Sequence, residues 1–234
     1  TGLAYVREGP GSVVIGALTR HRELERSPVV RARCPLLAAA VPFIGHAAIR
    51  NRGTIGGSLA HADPAAELVA VAAALGARLV VRSVAGERVL TPSEFFVSYL
   101  TTALGADELL VEVRLPGVVP RTGSAFVEVS RRHGDFALVA VAAEVTLDDA
   151  GRCATARLAL SGVGGVPFVA TDEVALLLGD TPAGNTLAEV GRRVSAAVTP
   201  DGDLHASAEY RKELAAVLVR RALTEAVARA GDPL

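Results

Sequence analysis

The 234-residue chain contains no methionine, no tryptophan, two cysteines and a single lysine, Lys212. Each shortage excludes something. Two thiols, Cys34 and Cys153, cannot build a four-cysteine iron–sulfur cluster or structural zinc site. Far apart in sequence, they suit buried thiols in a reducing compartment better than a disulfide framework. The five histidines, His21, His46, His61, His133 and His205, show no tight metal-ligand spacing. No metal site is expected, so any metal chemistry has to come from a partner. No apolar run of about 18 uncharged residues suggests a membrane span, and no signal-peptide pattern opens the chain. A cytoplasmic protein is expected. The 24 basic and 25 acidic residues leave a net charge of −1, without the excess that would point to nucleic acid or an anionic membrane. The arginine bias reads as coding bias. The missing methionine, absent even at position 1, leaves two expectations: an initiator removed ahead of Thr1, or a fragment of a longer protein.

What is present supports a real core. Half the residues are hydrophobic and 21% are charged, and the length predicts one large or two small domains. Leu3 to Gly16 reads as a hairpin around Gly9-Pro10-Gly11. Thr19 to Ala48 is helical in pieces, punctuated by Pro28, Pro35 and Pro42. Asp63-Pro64 predicts a helix over Ala65 to Leu75, stopped by Gly76. Arg78–Arg82 and Arg88–Leu90 make a second hairpin. Thr91-Pro92-Ser93-Glu94 is a capping box opening a helix to Leu100, and Glu108 to Leu115 is a strand. Val118 to Gly123 reads as an interdomain linker, dividing the chain into 1–117 and 121–234. Beyond it, Ala125–Val129 is strand-like. The run after Gly134-Asp135 is helix, strand or one after the other; periodicity leaves this open. Asp148–Gly151 turns into a strand over Ala156–Leu160. Helices follow at Asp172–Leu178, Thr186–Val198 and Ser207–Ala230, the last with Leu214, Val217, Leu218, Leu223 and Val227 on its buried face.

One stretch carries chemistry. In "IRNRGTIGGSLAHADPAAEL", Arg50, Asn51 and Arg52 precede Thr54-Ile55-Gly56-Gly57-Ser58. Two adjacent glycines remove Cβ atoms and permit positive φ, so successive amides could converge on an anion with two hydroxyls as extra donors. A tight turn between core elements with solvated arginines explains the same residues. Neither a Walker loop nor GxGxxG is present.

The same twenty residues resemble the flavin-binding signature of the FAD-carrying medium subunit of the molybdenum hydroxylases, the carbon monoxide dehydrogenase and xanthine dehydrogenase families. "ELLVEVRLP", "SAFVEVSRRHGDFALVAVAAEVTL" and "HASAEYRKELAAVLVRRAL" extend the resemblance over almost the whole chain. It implies an α+β fold: the second subdomain of a two-part FAD-binding domain, then a small sheet-plus-helices domain. It implies FAD as cofactor, with Thr54, Ile55, Gly56, Gly57 and Ser58 lining the diphosphate. Ile44, Glu67 (where aspartate is usual) and Leu110 fall at further FAD contacts. It also implies a molybdopterin large subunit and an iron–sulfur small subunit as partners. Two departures stand out. Neither Val127 nor Glu128 is the lysine often found there, and no second Gly-rich loop of the "GGQSL" kind occurs.

Arg131–Asp135, Ser161–Pro167 and the Asp201, Asp203, His205 trio read as structural turns and loops. No side chain is an obvious acid, base or nucleophile, so no catalytic residue is expected and an electron relay fits. The competing expectation is a flavin-free structural or assembly subunit that retains the family's interfaces.

Overall fold

The computed structural model describes residues 2–231; Thr1 and the last three residues of the expected second domain lie outside that range. The first half builds a five-stranded antiparallel sheet in the order β1-β2-β7-β3-β4. Its strands are β1 (Val6–Gly9), β2 (Ser12–Gly16), β3 (Arg78–Ser83), β4 (Gly86–Leu90) and β7 (Leu109–Pro116). Both expected hairpins are there, the first turning at Gly11 with φ +61°. Between them run short helices: α1 (His21–Arg26), α2 (Pro28–Arg33), α3 (Pro35–Ala40), α4 (Ala47–Arg50), α5 (Ile55–His61) and α6 (Glu67–Leu75). Pro28 and Pro35 each open a helix, where a missing N–H costs nothing.

Two expected helices are shorter than the sequence suggests. Asp63-Pro64 forms a turn of its own: the Asp63 carboxylate accepts the Ala65 N–H at 2.8 Å, and α6 starts only at Glu67. The capping box at Thr91–Glu94 closes as expected, with the Glu94 carboxylate accepting the Thr91 N–H at 2.7 Å. Yet α7 (Pro92–Phe95) stops after four residues and gives way to a small hairpin, β5 (Phe96–Ser98) and β6 (Thr101–Thr102). The neighbouring rings of Phe95 and Phe96 are both buried and meet edge to face at 5.2 Å. Extended backbone at Phe96 lets adjacent side chains bury in different directions, whereas a solvated helix would expose one of them.

After Gly117 the chain enters a second antiparallel sheet, ordered β11-β10-β9-β8. It comprises β8 (Thr122–Ser130), β9 (Ala137–Leu147), β10 (Cys153–Ser161) and β11 (Phe168–Val169). The ambiguous apolar run is strand throughout. Ala140 and Ala142 join the core with α3 and α6, while Val139, Val141, Ala143 and Val145 join the other core. A strand covered on both faces loses the apolar–polar alternation that identifies strands.

The remaining elements are α8 (Thr171–Val174), a 3-10 turn at Ala175–Leu177, α9 (Gly184–Ala197) and α10 (Ala208–Gly231). The buried face of α10 differs from the expected one. Leu218 and Leu223 are on it, Leu214 and Val217 are not fully covered, and Ala215, Ala222, Ala226 and Ala230 form the stripe. Small residues let this helix lie directly on β8. A Cβ at Gly123 would sit 2.0 Å from the Ala226 carbonyl oxygen. No helix among the described residues is long and apolar enough to cross a membrane.

Candidate functional site

The Gly-rich stretch is the start of a helix rather than a loop. Thr54 is the N-cap of α5, and its hydroxyl accepts the Gly57 N–H at 3.1 Å. Gly56 and Gly57 are helical and neither has positive φ. The expected nest of free amides does not form. Ile55 N–H donates to the Thr19 carbonyl at 3.1 Å and Gly56 N–H to the Ala17 carbonyl at 2.8 Å. These two bonds dock α5 onto the segment that follows β2.

Each glycine has its own reason. At Gly56 a Cβ would lie 2.5 Å from the Ala17 Cβ and 2.7 Å from the Ala17 oxygen. At Gly57 it would meet only the Thr54 hydroxyl, at 2.9 Å. Gly57 is exposed, Thr54 and Ser58 are half-buried, and Ile55 and Gly56 are buried. The Gly57 N–H is already taken by the Thr54 cap, so an approaching anion meets the half-buried Thr54 and Ser58 side chains and the positive end of a short helix.

The preceding arginines do not serve that anion as the sequence suggests. Arg50, its side chain only 11% exposed, pairs with Glu25 at 3.3 Å. It also donates to the Ile44 and Gly45 carbonyls at 3.1 Å and to Pro42 at 3.3 Å. It thereby fixes the loop carrying Ile44. Arg52 is exposed, and its carbonyl accepts from Arg20. Behind the turn sits His21, 5% exposed, with neither ring nitrogen partnered among the described residues. Burial lowers its pKa, and the Arg50 charge acts in the same direction. It acts as a spacer: a Cβ on Gly53 would sit 2.9 Å from its ring.

Ile44 and Leu110 are each 8% exposed, and Leu110 pairs with Val81 beside a register shift in the β3–β7 ladder. Glu67 is 5% exposed at the first position of α6. Burial raises its pKa, and the nearby Asp63 charge adds to the effect. Glu128 lies on β8, at a position distinguished in the sequence only by not being lysine. Burial, and then the charge of Glu67, push its pKa up to about 8. The available signal was strand alternation: Glu128 shares a face with core residue Phe126.

The three stretches read as turns and loops meet at one cavity, with Arg131, Asp135, Gly162, Asp203 and His205 among its lining residues. Asp203 accepts the His205 and Ala206 N–H groups at 2.7 and 2.9 Å and pairs with buried Arg211 at 2.8 Å. Arg211 also donates to the Leu138 and Gly162 carbonyls, and Gly162 N–H to the Pro64 carbonyl at 2.7 Å. These ties frame an open cavity of about 760 Å³ at the seam between the halves, rimmed by Tyr99 and Phe136. Cys34 and Cys153 are free and buried, and burial pushes the Cys34 thiol up to about 12.

Similar sequences and the same fold occur in other proteins. Residues 1–118 match the FAD binding domain in molybdopterin dehydrogenase, and residues 124–226 match the CO dehydrogenase flavoprotein C-terminal domain. The chain therefore belongs to the FAD-binding medium subunits of the molybdenum hydroxylases. It is 40% identical to the 6-hydroxypseudooxynicotine dehydrogenase complex subunit alpha of Paenarthrobacter nicotinovorans, covering 98% of this chain and 77% of that one. The carbon monoxide dehydrogenase medium chain of Hydrogenophaga pseudoflava is 34% identical over 97% of this chain and 79% of its own. A crystal structure of carbon monoxide dehydrogenase from Hydrogenophaga pseudoflava, lacking the Mo-pyranopterin moiety of its cofactor, superposes with a TM-score of 0.93 at 35% identity. It covers 97% of this chain and 79% of that one. The protein is thus an oxidoreductase subunit of α+β fold whose cofactor is FAD. The exposed Gly57, with only the Thr54 hydroxyl near its Cβ position, and the half-buried Thr54 and Ser58 beside it fit one side of a diphosphate.

Proposed function

We propose that this chain relays electrons within a molybdenum hydroxylase complex. It would take them from iron–sulfur centres in a small subunit, reduced by a molybdopterin large subunit, and pass them through FAD to an external acceptor. The observation that carries this reading is the entry of α5. There the exposed Gly57 and the half-buried Thr54 and Ser58 stand at a helix start, where a side chain at position 57 would press on the Thr54 cap hydroxyl. In this reading Thr54 to Ser58 hold the diphosphate. Gly57 and the two hydroxyls make the contact, and Ile55 and Gly56 anchor the helix that presents them. Ile44, held by Arg50, and Leu110 offer apolar surface, and Glu67 a hydrogen-bonding carboxylate. Residues 1–117 carry the flavin and 121–234 back it, in the cytoplasm.

Bound FAD supplies redox chemistry that exchanges one or two electrons. The chain's own share is to place the cofactor and exclude water from it. The test is anaerobic addition of the complex's substrate while visible flavin absorbance is followed. Bleaching in the intact complex, lost when Gly57→Val strips the flavin, supports the relay. A colourless chain that ignores added FAD establishes the flavin-free scaffold instead.

A further inference from the structure

The second sheet ends in a long strand with one open side. β8 pairs with β9, and no strand among the described residues pairs with it on the other side. In an antiparallel ladder the N–H and C=O of one residue point the same way, and successive residues alternate. The Ser124 carbonyl accepts an N–H from Arg229 of α10, which marks that residue as facing the open side. Phe126 and Glu128 follow at two-residue steps in unbroken register, so their backbone groups point outward too. Arg229 closes only the first part of the edge.

A cavity of about 460 Å³ lies on the part left open, lined by Phe126, Val127 and Glu128 in succession. Its walls come from the two layers that flank the sheet. Ala39 and Phe43 stand on one side, Leu218 and Arg221 of α10 on the other, and none of the residues given to FAD lines it. The Phe43 and Phe126 rings, 5.3 Å apart, make the first wall apolar. Glu128 is the exception: its Oε2 atom is fully buried and has no hydrogen-bond partner among the described residues. The one charge that acts on it is the carboxylate of Glu67, of the same sign. Arg229 is occupied by the Ser124 carbonyl and by Glu225 at 3.0 Å. A buried oxygen without a donor is costly until one arrives, so this cavity is complementary to a cation from outside the chain.

We propose that this edge docks an extended segment of a partner subunit, which adds a fifth strand beside β8 and sets a lysine or arginine side chain against Glu128. Backbone bonds to Phe126 and Glu128 supply the affinity, and the alternating side chains of the incoming strand supply the choice of partner. One set meets Phe43, Phe126 and Glu128, the other Leu218 and Arg221. A second copy of this chain fits less well, because two β8 edges would bring two unpaired glutamates into one interface. The proposal rests on the reading of the chain as one subunit of a complex, and not on the flavin relay.

The test is residue-resolved amide exchange in the isolated chain and in the intact complex. The Phe126 and Glu128 amides should exchange at least about tenfold more slowly in the complex, while Val127 and Val129, held by β9 in both, stay unchanged. Glu128→Arg should weaken capture of the chain by the other subunits about thirtyfold or more, and Glu128→Gln by less. Melting curves of the isolated variants establish that they fold. Equal exchange with and without the other subunits overturns the docking site. Slowing that appears in the isolated chain as its concentration rises gives the edge to a second copy and overturns the partner. Slowing in the complex, with Glu128→Arg captured as tightly as wild type, overturns the basic side chain. A chain that assembles with no other subunit overturns the complex and the docking site together. A complex that protects the edge while its flavin fails to bleach overturns the relay and supports the docking site.

Discussion

Two stretches look alike in sequence, Thr54-Ile55-Gly56-Gly57-Ser58 and Ser161-Gly162-Val163-Gly164-Gly165. The first becomes helix, its inner glycine pressed against Ala17 and its outer one exposed, with only the Thr54 cap hydroxyl near its Cβ position. The second remains loop. Gly162 adopts φ +78°, and its carbonyl and amide are tied to Arg211 and Pro64, while Gly164 and Gly165 face open space or distant backbone. Glycine therefore does three different jobs within ten positions: close approach, left-handed backbone, and clearance for something outside the fold.

Substitution separates these roles. Gly162→Ala should cost most, about 3 kcal/mol or more in urea unfolding. It strains a left-handed residue and drives a Cβ to 2.3 Å from the Leu138 carbonyl oxygen. Gly56→Ala should cost about 2–3 kcal/mol by overpacking against Ala17; a cost below about 0.5 kcal/mol would falsify the close-approach explanation. Glu128→Gln should stabilise the protein, by about 1–2 kcal/mol at pH 8 and by far less at pH 5. The sign follows from a folded-state pKa raised to about 8 from the model-compound 4.5. The unfolded chain sheds this proton first, so wild-type stability declines as pH climbs between those values, and melting temperatures across that range read it out. Thr54→Val should cost about 1 kcal/mol through the lost cap. Smallest in stability is Gly57→Ala, within about 0.5 kcal/mol of wild type, yet it should weaken FAD binding markedly in an absorbance titration. A large loss of stability there, with affinity unchanged, would make the two glycines equivalent.

The comparison also explains what could be read in advance. Both hairpins, the piecewise helices of the first half and the long α10 were visible, because their signals are local: Gly and Pro turns, caps and helical spacing. The twenty-residue signature placed the family. What escaped depends on tertiary contacts. Arg50 looked like free positive charge until Glu25 and three carbonyls claimed it. The amides of Ile55 and Gly56 looked available until Ala17 and Thr19 accepted them. The contact face of α10 carries alanines beside Leu218 and Leu223, with Ala226 and Ala230 where it closely meets Gly123, which is distant in sequence.

The central strand β9 has a further consequence. Ala140 and Ala142 face one core, while Val139 and Val141 face the other, with none of the four accessible to solvent. Two family signatures therefore share one wall. Separate expression of residues 121–234 would leave Phe126, Ala140, Ala142 and Ala159 without a covering layer, and such a piece should self-associate. The intact chain should melt in one calorimetric transition: two modules by ancestry, one unit by thermodynamics.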